Sequence, residues 1–196
     1  MLFVGLGNPE GKYFNTYHNV GFLAAEKMAL QYSAEFKKKG NQLLAKFSIQ
    51  DADIFILKPL TYMNLSGQAV VALIRKEKIE VENIFVFMDD LYIDKGAIRV
   101  THGGSGGGHN GIRSITGLIG SNQYTKIRMG IKPEKPPYST SQYVLSKIEN
   151  KEQMRKTIAK ATDAALMFIN QHPLDKIQQK FNTKCASTPE ESGGAD

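Results

Sequence analysis

Cysteine is nearly absent from this chain of 196 residues, in which only Cys185 is present. A single cysteine cannot form an internal disulfide, which is typical of a protein from a reducing compartment. The sequence also lacks an apolar run long enough to cross a bilayer, and an N-terminal basic segment followed by an apolar stretch and a cleavage site. We therefore expect neither export nor membrane anchoring, and we expect a cytoplasmic location.

The composition is that of an ordinary globular protein. Hydrophobic residues make up 41% of the chain and charged residues 22%, which excludes disordered and fibrous proteins. The length suits one domain with a substantial core. A formal net charge of +6 favours a polyanionic partner without identifying it. We interpret the only block of like charge, Lys37 to Lys39, as a solvated loop.

Hydrophobic periodicity and turn residues divide the chain into alternating strands and helices. Strands are predicted at 1–5, 43–49, 53–57, 83–89, 97–101 and 124–131, and helices at 19–33, 65–78, from 110 onward and around 154–168. The proline-rich segment 132–143 is expected to contain no regular structure. The alternation predicts an α/β fold, with residues 1–182 forming a single domain that has a twisted mixed, mostly parallel central sheet and helices on both faces. Residues 183–196 are predicted to be a disordered polar tail.

Two glycine-rich stretches resemble known motifs in part. The opening "VGLGNPEG" nearly matches a dinucleotide-binding loop, but Glu10 would face the pyrophosphate and no helix follows directly. The stretch "GGSGG" around Ser105 fits the nucleophile elbow of a serine esterase, and Asp163 and His172 follow in the order of a hydrolase triad. So many glycines are too flexible to hold a strained elbow, and the predicted helix begins several residues late. A serine esterase that uses Ser105 remains an alternative.

Metal binding is weakly indicated by residue type alone. His102, His109, Asp89 and Asp90 are of the types that bind metals, and they could in principle converge. No pair among them has the spacing of a recognised ligand motif, so we expect no metal site.

Polar residues are found where predicted strands end or helices begin: Asn8, His18, Asn64, Asp89 and Asn110. Residues that follow parallel strands converge beyond the carboxyl edge of an α/β sheet, so Asn8 and Asp89 are expected on one rim. The positive end of a helix dipole disfavours a charged imidazole, whereas a nearby carboxylate orients the ring. His18 and Asp89 are thus predicted to be a general base and its orienting group, with water as the nucleophile. Either Asn64 or Asn110 is equally well explained as a helix cap.

Four motifs in order, "VGLGNPEGKYFNTYHNVG", "KPLTYMNLSG", "MDDLYIDKGAIRV" and "GGSGGGHNGIRSI", resemble bacterial peptidyl-tRNA hydrolase. The stretches "KIRMGI" and "YVLS" continue the likeness, which extends from about residue 3 to residue 182. Agreement of four separate motifs makes the resemblance highly specific.

The resemblance implies hydrolysis of the ester between a peptide, or an N-blocked aminoacyl group, and the 3′-terminal ribose of tRNA, which recycles tRNA from abandoned translation. By the same resemblance His18 is the general base, Asp89 supports it, and Asn8 distinguishes peptidyl-tRNA from free aminoacyl-tRNA. The implied contacts with tRNA and substrate are Tyr13, Tyr62, Met63, Asn64, Asn110 and Arg128. A monomer without metal, cofactor or obligate protein partner is also implied. A module that binds RNA ends without hydrolysis remains a further alternative.

The sequence departs from the family's usual pattern at four positions, none of them catalytic. Glu10 takes the place of a glycine that here comes one residue later, and Tyr17 replaces an arginine before the histidine. Tyr92 replaces an acidic residue and Thr101 a basic one. These changes bear on how tRNA phosphates are bound.

Overall fold

The computed structural model describes residues 1–182, so the predicted tail lies outside the described residues. The strands are β1 Leu2–Gly5, β2 Lys37–Lys39, β3 Gln42–Ile49, β4 Ala52–Pro59, β5 Ile84–Asp90, β6 Ile98–His102 and β7 Thr125–Gly130. The α-helices are α1 Val20–Gln31, α2 Ser66–Glu77, α3 Asn110–Ile119, α4 Thr140–Val144, α5 Lys151–Ile169 and α6 Leu174–Phe181. Every strand and helix predicted from periodicity is present, with bounds shifted by a few residues.

The strands form one mixed sheet in the order β2-β3-β4-β1-β5-β7-β6. At its centre β1 pairs in parallel with β4 and β5, and β5 pairs in parallel with β7. The outer pairs β2-β3, β3-β4 and β6-β7 are antiparallel. The predicted mixed sheet with a parallel centre is confirmed. Because β1 and β5 are parallel, their carboxyl ends lie at one edge, where Asn8 follows β1 and Asp89 nearly ends β5.

Alternating apolar side chains along the central strands build a separate core on each face of the sheet. Phe3 and Phe85 belong to the core that α1 and α5 cover, and their rings stack with centroids 4.8 Å apart. Val4 and Val86 belong to the opposite core, which α2 and α3 cover. Successive strand side chains point to opposite faces, so one short apolar strand serves both cores. Helices on both faces are therefore confirmed.

The start of α1 lies in direct contact with the sheet at Gly21. A Cβ atom at this position would be 2.5 Å from the backbone of Leu6 and from the carbonyl oxygen of Phe87. Only glycine permits such an approach. The contact places the turn just before α1, which carries His18, beside the ends of β1 and β5.

The lysine run predicted as a solvated loop is instead the edge strand β2. Lys37 to Lys39 pair antiparallel with the first residues of β3, through a turn in which Gly40 has a φ of +58°. Three exposed lysines show no alternation, so periodicity does not reveal the strand. Lysines at a sheet edge oppose pairing with other chains, which suits this position.

Two helices were not predicted, α4 and α6. The former begins inside the segment expected to be irregular, just after its prolines, and Ser139 Oγ accepts a hydrogen bond from Gln142 N at its start. The latter follows Pro173 and packs on the edge strand β6, where the Asn182 side chain bonds to the backbone of Val100. Among residues 1–182, no helix is both long and apolar enough to cross a membrane.

Candidate active site

A cavity of about 500 Å³ opens at the sheet edge where β1 and β5 end. Its walls come from the residues after these strands, the turn before α2, the glycine-rich loop before α3, and α4. The predicted site residues that line it are Asn8, His18, Tyr62, Met63, Asn64, Asp89 and Asn110. The structure thus brings together seven of the nine predicted residues, and only Tyr13 and Arg128 lie outside this lining.

Asp89 is a buried carboxylate that two histidines contact at one oxygen. His18 Nδ1 lies 2.9 Å and His109 Nε2 lies 3.0 Å from Asp89 Oδ1. Burial by itself raises the pKa of Asp89, but electrostatic interactions and hydrogen bonds with the two histidines outweigh it and lower the pKa below its usual value. Asp89 is therefore ionised at neutral pH, and it only accepts hydrogen bonds.

The hydrogen bonds determine which nitrogen of each histidine carries a proton. Since Asp89 only accepts, His18 donates from Nδ1 and His109 donates from Nε2. His109 Nδ1 accepts a hydrogen bond from Gly111 N at 3.1 Å, so His109 is a neutral imidazole. His18 makes no side-chain hydrogen bond within residues 1–182 except that to Asp89, which leaves its Nε2 lone pair available at the cavity.

The amide of Asn8 is held in one orientation by two other residues. Its Oδ1 accepts a hydrogen bond from Met63 N at 3.0 Å, so its Nδ2 remains available to donate. The Asn19 side chain bonds to both the backbone N and O of Asn8, each at 2.9 Å. Asn19 directly follows His18 in the chain, so these hydrogen bonds connect the segment that carries the imidazole with Asn8.

Asn64 and Asn110 are not helix caps, although either could have been one. The N-cap of α2 is Leu65, without a side-chain hydrogen bond, while Asn64 is exposed at the cavity. The N-cap of α3 is His109, not Asn110 as predicted. Asn110 Oδ1 accepts a hydrogen bond from Arg113 Nη2 at 2.7 Å, which leaves its Nδ2 available to the cavity. Both asparagines are thus available to a ligand.

Tyr62 lies at the mouth of the cavity with half of its surface, 50%, exposed. Its hydroxyl hydrogen-bonds to Glu10, the residue that replaces a glycine of the family pattern. Tyr13 lies in the same N-terminal loop, with Lys12 Nζ 4.9 Å above its ring. The Glu10 contact therefore fixes an aromatic ring at the cavity mouth.

Two largely buried cations, Lys126 and Arg128, lie beside the glycine-rich loop. Lys126 Nζ donates to the carbonyl oxygens of Gly103 and Gly104 at 2.7 and 3.3 Å. Burial, together with the nearby Arg128, lowers the pKa of Lys126 to about 8. Arg128 is only 16% exposed, its Nε lies 2.6 Å from Asp90 Oδ2, and a Cβ on Gly107 would be 2.7 Å from its Nη2. Arg128 therefore lies close to Gly107 but outside the lining of the cavity.

Three possible metal ligands converge at the site. The donor atoms of His18, Asp89 and His109 lie within 4.8 Å of one another. Of the candidates named from the sequence, Asp89 and His109 thus come together, whereas His102 contacts Thr125 at the end of β6. The imidazole nitrogens that face Asp89 are at hydrogen-bonding distance from it, so the three residues form a hydrogen-bonded unit.

The residues of the alternative serine-esterase triad are not joined. Among the described residues, no hydrogen bond links Ser105, Asp163 and His172. Ser105 is exposed in a loop that separates β6 from α3 by seven residues, from Gly103 to His109. The sharp strand-to-helix turn of a nucleophile elbow is therefore absent at this serine.

Sequence reasoning missed His109 as a partner of Asp89, Asn19 as the support of Asn8, and the wall formed by α4. Thr140, Ser141, Val144 and Leu145 all line the cavity. His109 had a detectable signal, because it follows the glycines and directly precedes Asn110. No sequence signal indicated that α4 forms a wall of the cavity, since its position depends on tertiary packing. Tyr143 of α4 stacks on Tyr17 with ring centroids 5.1 Å apart.

Comparison with known proteins shows which family this chain is similar to. The profile of the family described as peptidyl-tRNA hydrolase matches residues 2–189. A peptidyl-tRNA hydrolase of Pelodictyon phaeoclathratiforme is 43% identical over 171 residues, which cover 85% of this chain and 90% of the relative. One of Rickettsia bellii is 38% identical over 184 residues, covering 93% and 91%.

A solved structure gives the same result in three dimensions. The crystal structure of peptidyl-tRNA hydrolase from Acinetobacter baumannii superposes with a TM-score of 0.85 at 33% identity, over 93% of this chain and 94% of the other. Sequence and structure agree over nearly the full length of both proteins. This chain belongs to the peptidyl-tRNA hydrolase family.

Proposed function

We propose that this chain hydrolyses the ester bond between a peptide, or an N-blocked aminoacyl group, and the 3′-terminal ribose of tRNA. The observation that carries the proposal is the free Nε2 of His18 at an open cavity, with its Nδ1 proton bound by the ionised Asp89. This pairing is suited to general-base catalysis. Within the described chain, no serine, threonine or cysteine hydrogen-bonds to His18, so we assign the role of nucleophile to water.

In the proposed reaction, His18 moves one proton. Nε2 takes a proton from water as the water oxygen attacks the ester carbonyl carbon, and Asp89 stabilises the resulting imidazolium. The same proton then passes to the ribose oxygen as its bond to the carbonyl carbon breaks. General-base help of this kind supplies about 10²–10⁴-fold in rate. His109 positions Asp89 by binding the same carboxylate oxygen.

Side-chain amides supply the polar groups for the carbonyl and the peptide. The oriented Nδ2 of Asn8 and the exposed amides of Asn64 and Asn110 can donate to an oxygen that gains negative charge in the transition state. Asn8 is also the residue that we assign to the distinction between peptidyl-tRNA and free aminoacyl-tRNA. Met63, which is buried beside it, forms part of the pocket wall.

The tRNA end is assigned to the mouth of the cavity. Tyr62 offers a flat face for stacking with a terminal base, and Tyr13 lies in the adjoining loop. The glycines 106–108 allow a backbone to approach the ribose closely. We further propose that the chain acts as a cytoplasmic monomer without an obligate protein partner, as the resemblance to the family implies.

The decisive test is a hydrolysis assay with two substrates. We expect the purified protein to release tRNA from N-acetyl-aminoacyl-tRNA and to leave free aminoacyl-tRNA largely intact. Equal cleavage of both substrates would indicate a general esterase. Binding of both without release of tRNA would indicate a module that only binds RNA ends.

Ser105→Ala is expected to leave hydrolysis nearly unchanged, because Ser105 is exposed and is not bonded to any histidine. Turnover of N-acetyl-aminoacyl-tRNA by this variant and by the parent protein measures the effect. A loss of more than about a hundredfold with unchanged melting would instead support a serine nucleophile.

We propose that the outer guanidinium nitrogens of Arg128 bind a tRNA phosphate beside Gly107. Arg128→Ala is therefore expected to weaken tRNA binding, and to make the slope of log affinity against log salt concentration shallower by about one unit. Arg128→Lys keeps the charge and should keep the slope. Binding titrations at several salt concentrations measure this. Loss of Arg128 also leaves Asp90 buried without its partner, so melting is followed as well. A lower melting temperature with an unchanged slope would make Arg128 purely structural.

A further inference from the structure

A second cavity, of about 410 Å³, lies between α1 and the first turns of α5. Its lining consists of Asn15, Leu23, Lys27, Ile148, Lys151, Met154, Arg155 and Ile158. The volume falls within the range of about 300–1,000 Å³ that is typical of sites for small ligands. None of the residues assigned to hydrolysis lines it.

The cavity has an apolar floor and a cationic rim. Ile148, Met154 and Ile158 are buried members of the core beneath it. Lys27, Lys151 and Arg155 are at its rim. Among residues 1–182, no ion pair or side-chain hydrogen bond involves these three cations. Neighbouring Lys156, by contrast, pairs with Glu152 at 2.9 Å.

Three unpaired cations around an apolar hollow fit one class of ligand. The apolar body of a ligand would bury the apolar surface of the cavity floor. A carboxylate or phosphate head would pair with the cations of the rim through charge-assisted hydrogen bonds. The start of α5 adds the positive end of a 19-residue helix at Lys151. We propose that this cavity binds a small amphipathic anion, with its apolar body on Met154 and Ile158 and its head between Lys27, Lys151 and Arg155.

The second cavity is separate from the catalytic one, and no residue lines both. Val144 faces the catalytic cavity, whereas Ile148, four residues later, faces the second cavity. Ile148 N donates to Asn15 O at 2.9 Å, a hydrogen bond between two residues that both line the second cavity. The proposed binding is therefore independent of the hydrolysis proposed above, and its test requires no tRNA turnover.

In the experiment, the full chain is titrated separately with sodium octanoate and with hexyl phosphate. Binding is measured by calorimetry and by NMR of the methionine and isoleucine methyl groups. We expect both probes to bind and to shift the signals of Met154 and Ile158. Uncharged 1-octanol should bind at least about tenfold more weakly, because it lacks the charged head. Inorganic phosphate, which lacks the apolar body, should not shift these signals. Equal binding of octanoate and 1-octanol, or shifts confined to Met63 and Met88 in the catalytic cavity, would overturn the proposal.

A pair of exposed neighbours on α5 tests the role of charge. Arg155→Ala should weaken octanoate binding about tenfold, whereas Lys156→Ala removes the same charge one residue away and should leave it unchanged. Both residues are exposed, so both variants are expected to fold. Equal effects of the two variants would mean that Arg155 acts only through the overall charge of the protein, and would overturn the proposed contact with the ligand head. Displacement of octanoate by tRNA would assign the three cations to tRNA phosphates and would also overturn the proposal.

Discussion

His18→Ala is expected to reduce single-turnover hydrolysis of N-acetyl-aminoacyl-tRNA by about a thousandfold or more. Among residues 1–182, the substitution removes the only imidazole nitrogen at the cavity that has no hydrogen-bond partner, and general-base catalysis contributes about 10²–10⁴-fold. Binding of the tRNA end should persist, because Tyr62, Asn64 and Asn110 remain in place. The loss should therefore appear in the rate of the chemical step and not in affinity.

Two further substitutions separate catalysis from a structural role of this histidine. His18→Asn supplies a good helix cap, and it should be as slow as His18→Ala, since Asn19 and not His18 is the N-cap of α1. His102→Ala removes an exposed histidine at the end of β6 and should retain full activity. Melting curves accompany each measurement. A fast His18→Asn enzyme would disprove the catalytic assignment.

Asp89→Asn is expected to reduce turnover by about a hundredfold, which is less than the loss from removal of the imidazole. The pKa of Asp89 lies below its usual value, so the substitution removes a charge that is present at neutral pH. The amide oxygen can still accept a hydrogen bond from His18 Nδ1, but it stabilises the imidazolium less well than a carboxylate does. Asp94→Asn removes the same charge from an exposed residue five positions later, and it should have little effect.

The two losses should not add, because both substitutions disable one proton-transfer unit. We expect the double variant His18→Ala/Asp89→Asn to be about as slow as His18→Ala alone. Single-turnover rates of the parent and the three variants form a double-mutant cycle. Multiplied losses in the double variant would mean that Asp89 acts independently of His18, for example by contacting the substrate directly.

The central part of the fold could be predicted from local patterns. The buried runs of β1 and β5 are short and apolar, and the helices between them carry apolar stripes. Parallel strands place their carboxyl ends at one edge, which is why Asn8 and Asp89 could be assigned to one rim. Elements without periodicity escaped this reasoning. The lysines of β2 pair through their backbone alone, and α4 begins with a serine cap directly after a proline-rich loop.

The sequence by itself determined the fold class, the order of the elements and the identity of His18, Asp89 and Asn8 as candidates, because these depend on periodicity, strand ends and short motifs. Only the tertiary structure decided how the candidates act. His109 lies 20 residues from Asp89 in the chain and Met63 lies 55 residues from Asn8, yet hydrogen bonds to these partners set the proton positions and the amide orientation. The second cavity likewise exists only because α1 packs beside α5. Distances between side chains from separate elements depend on how helices pack on the sheet, and a one-dimensional pattern does not contain that information.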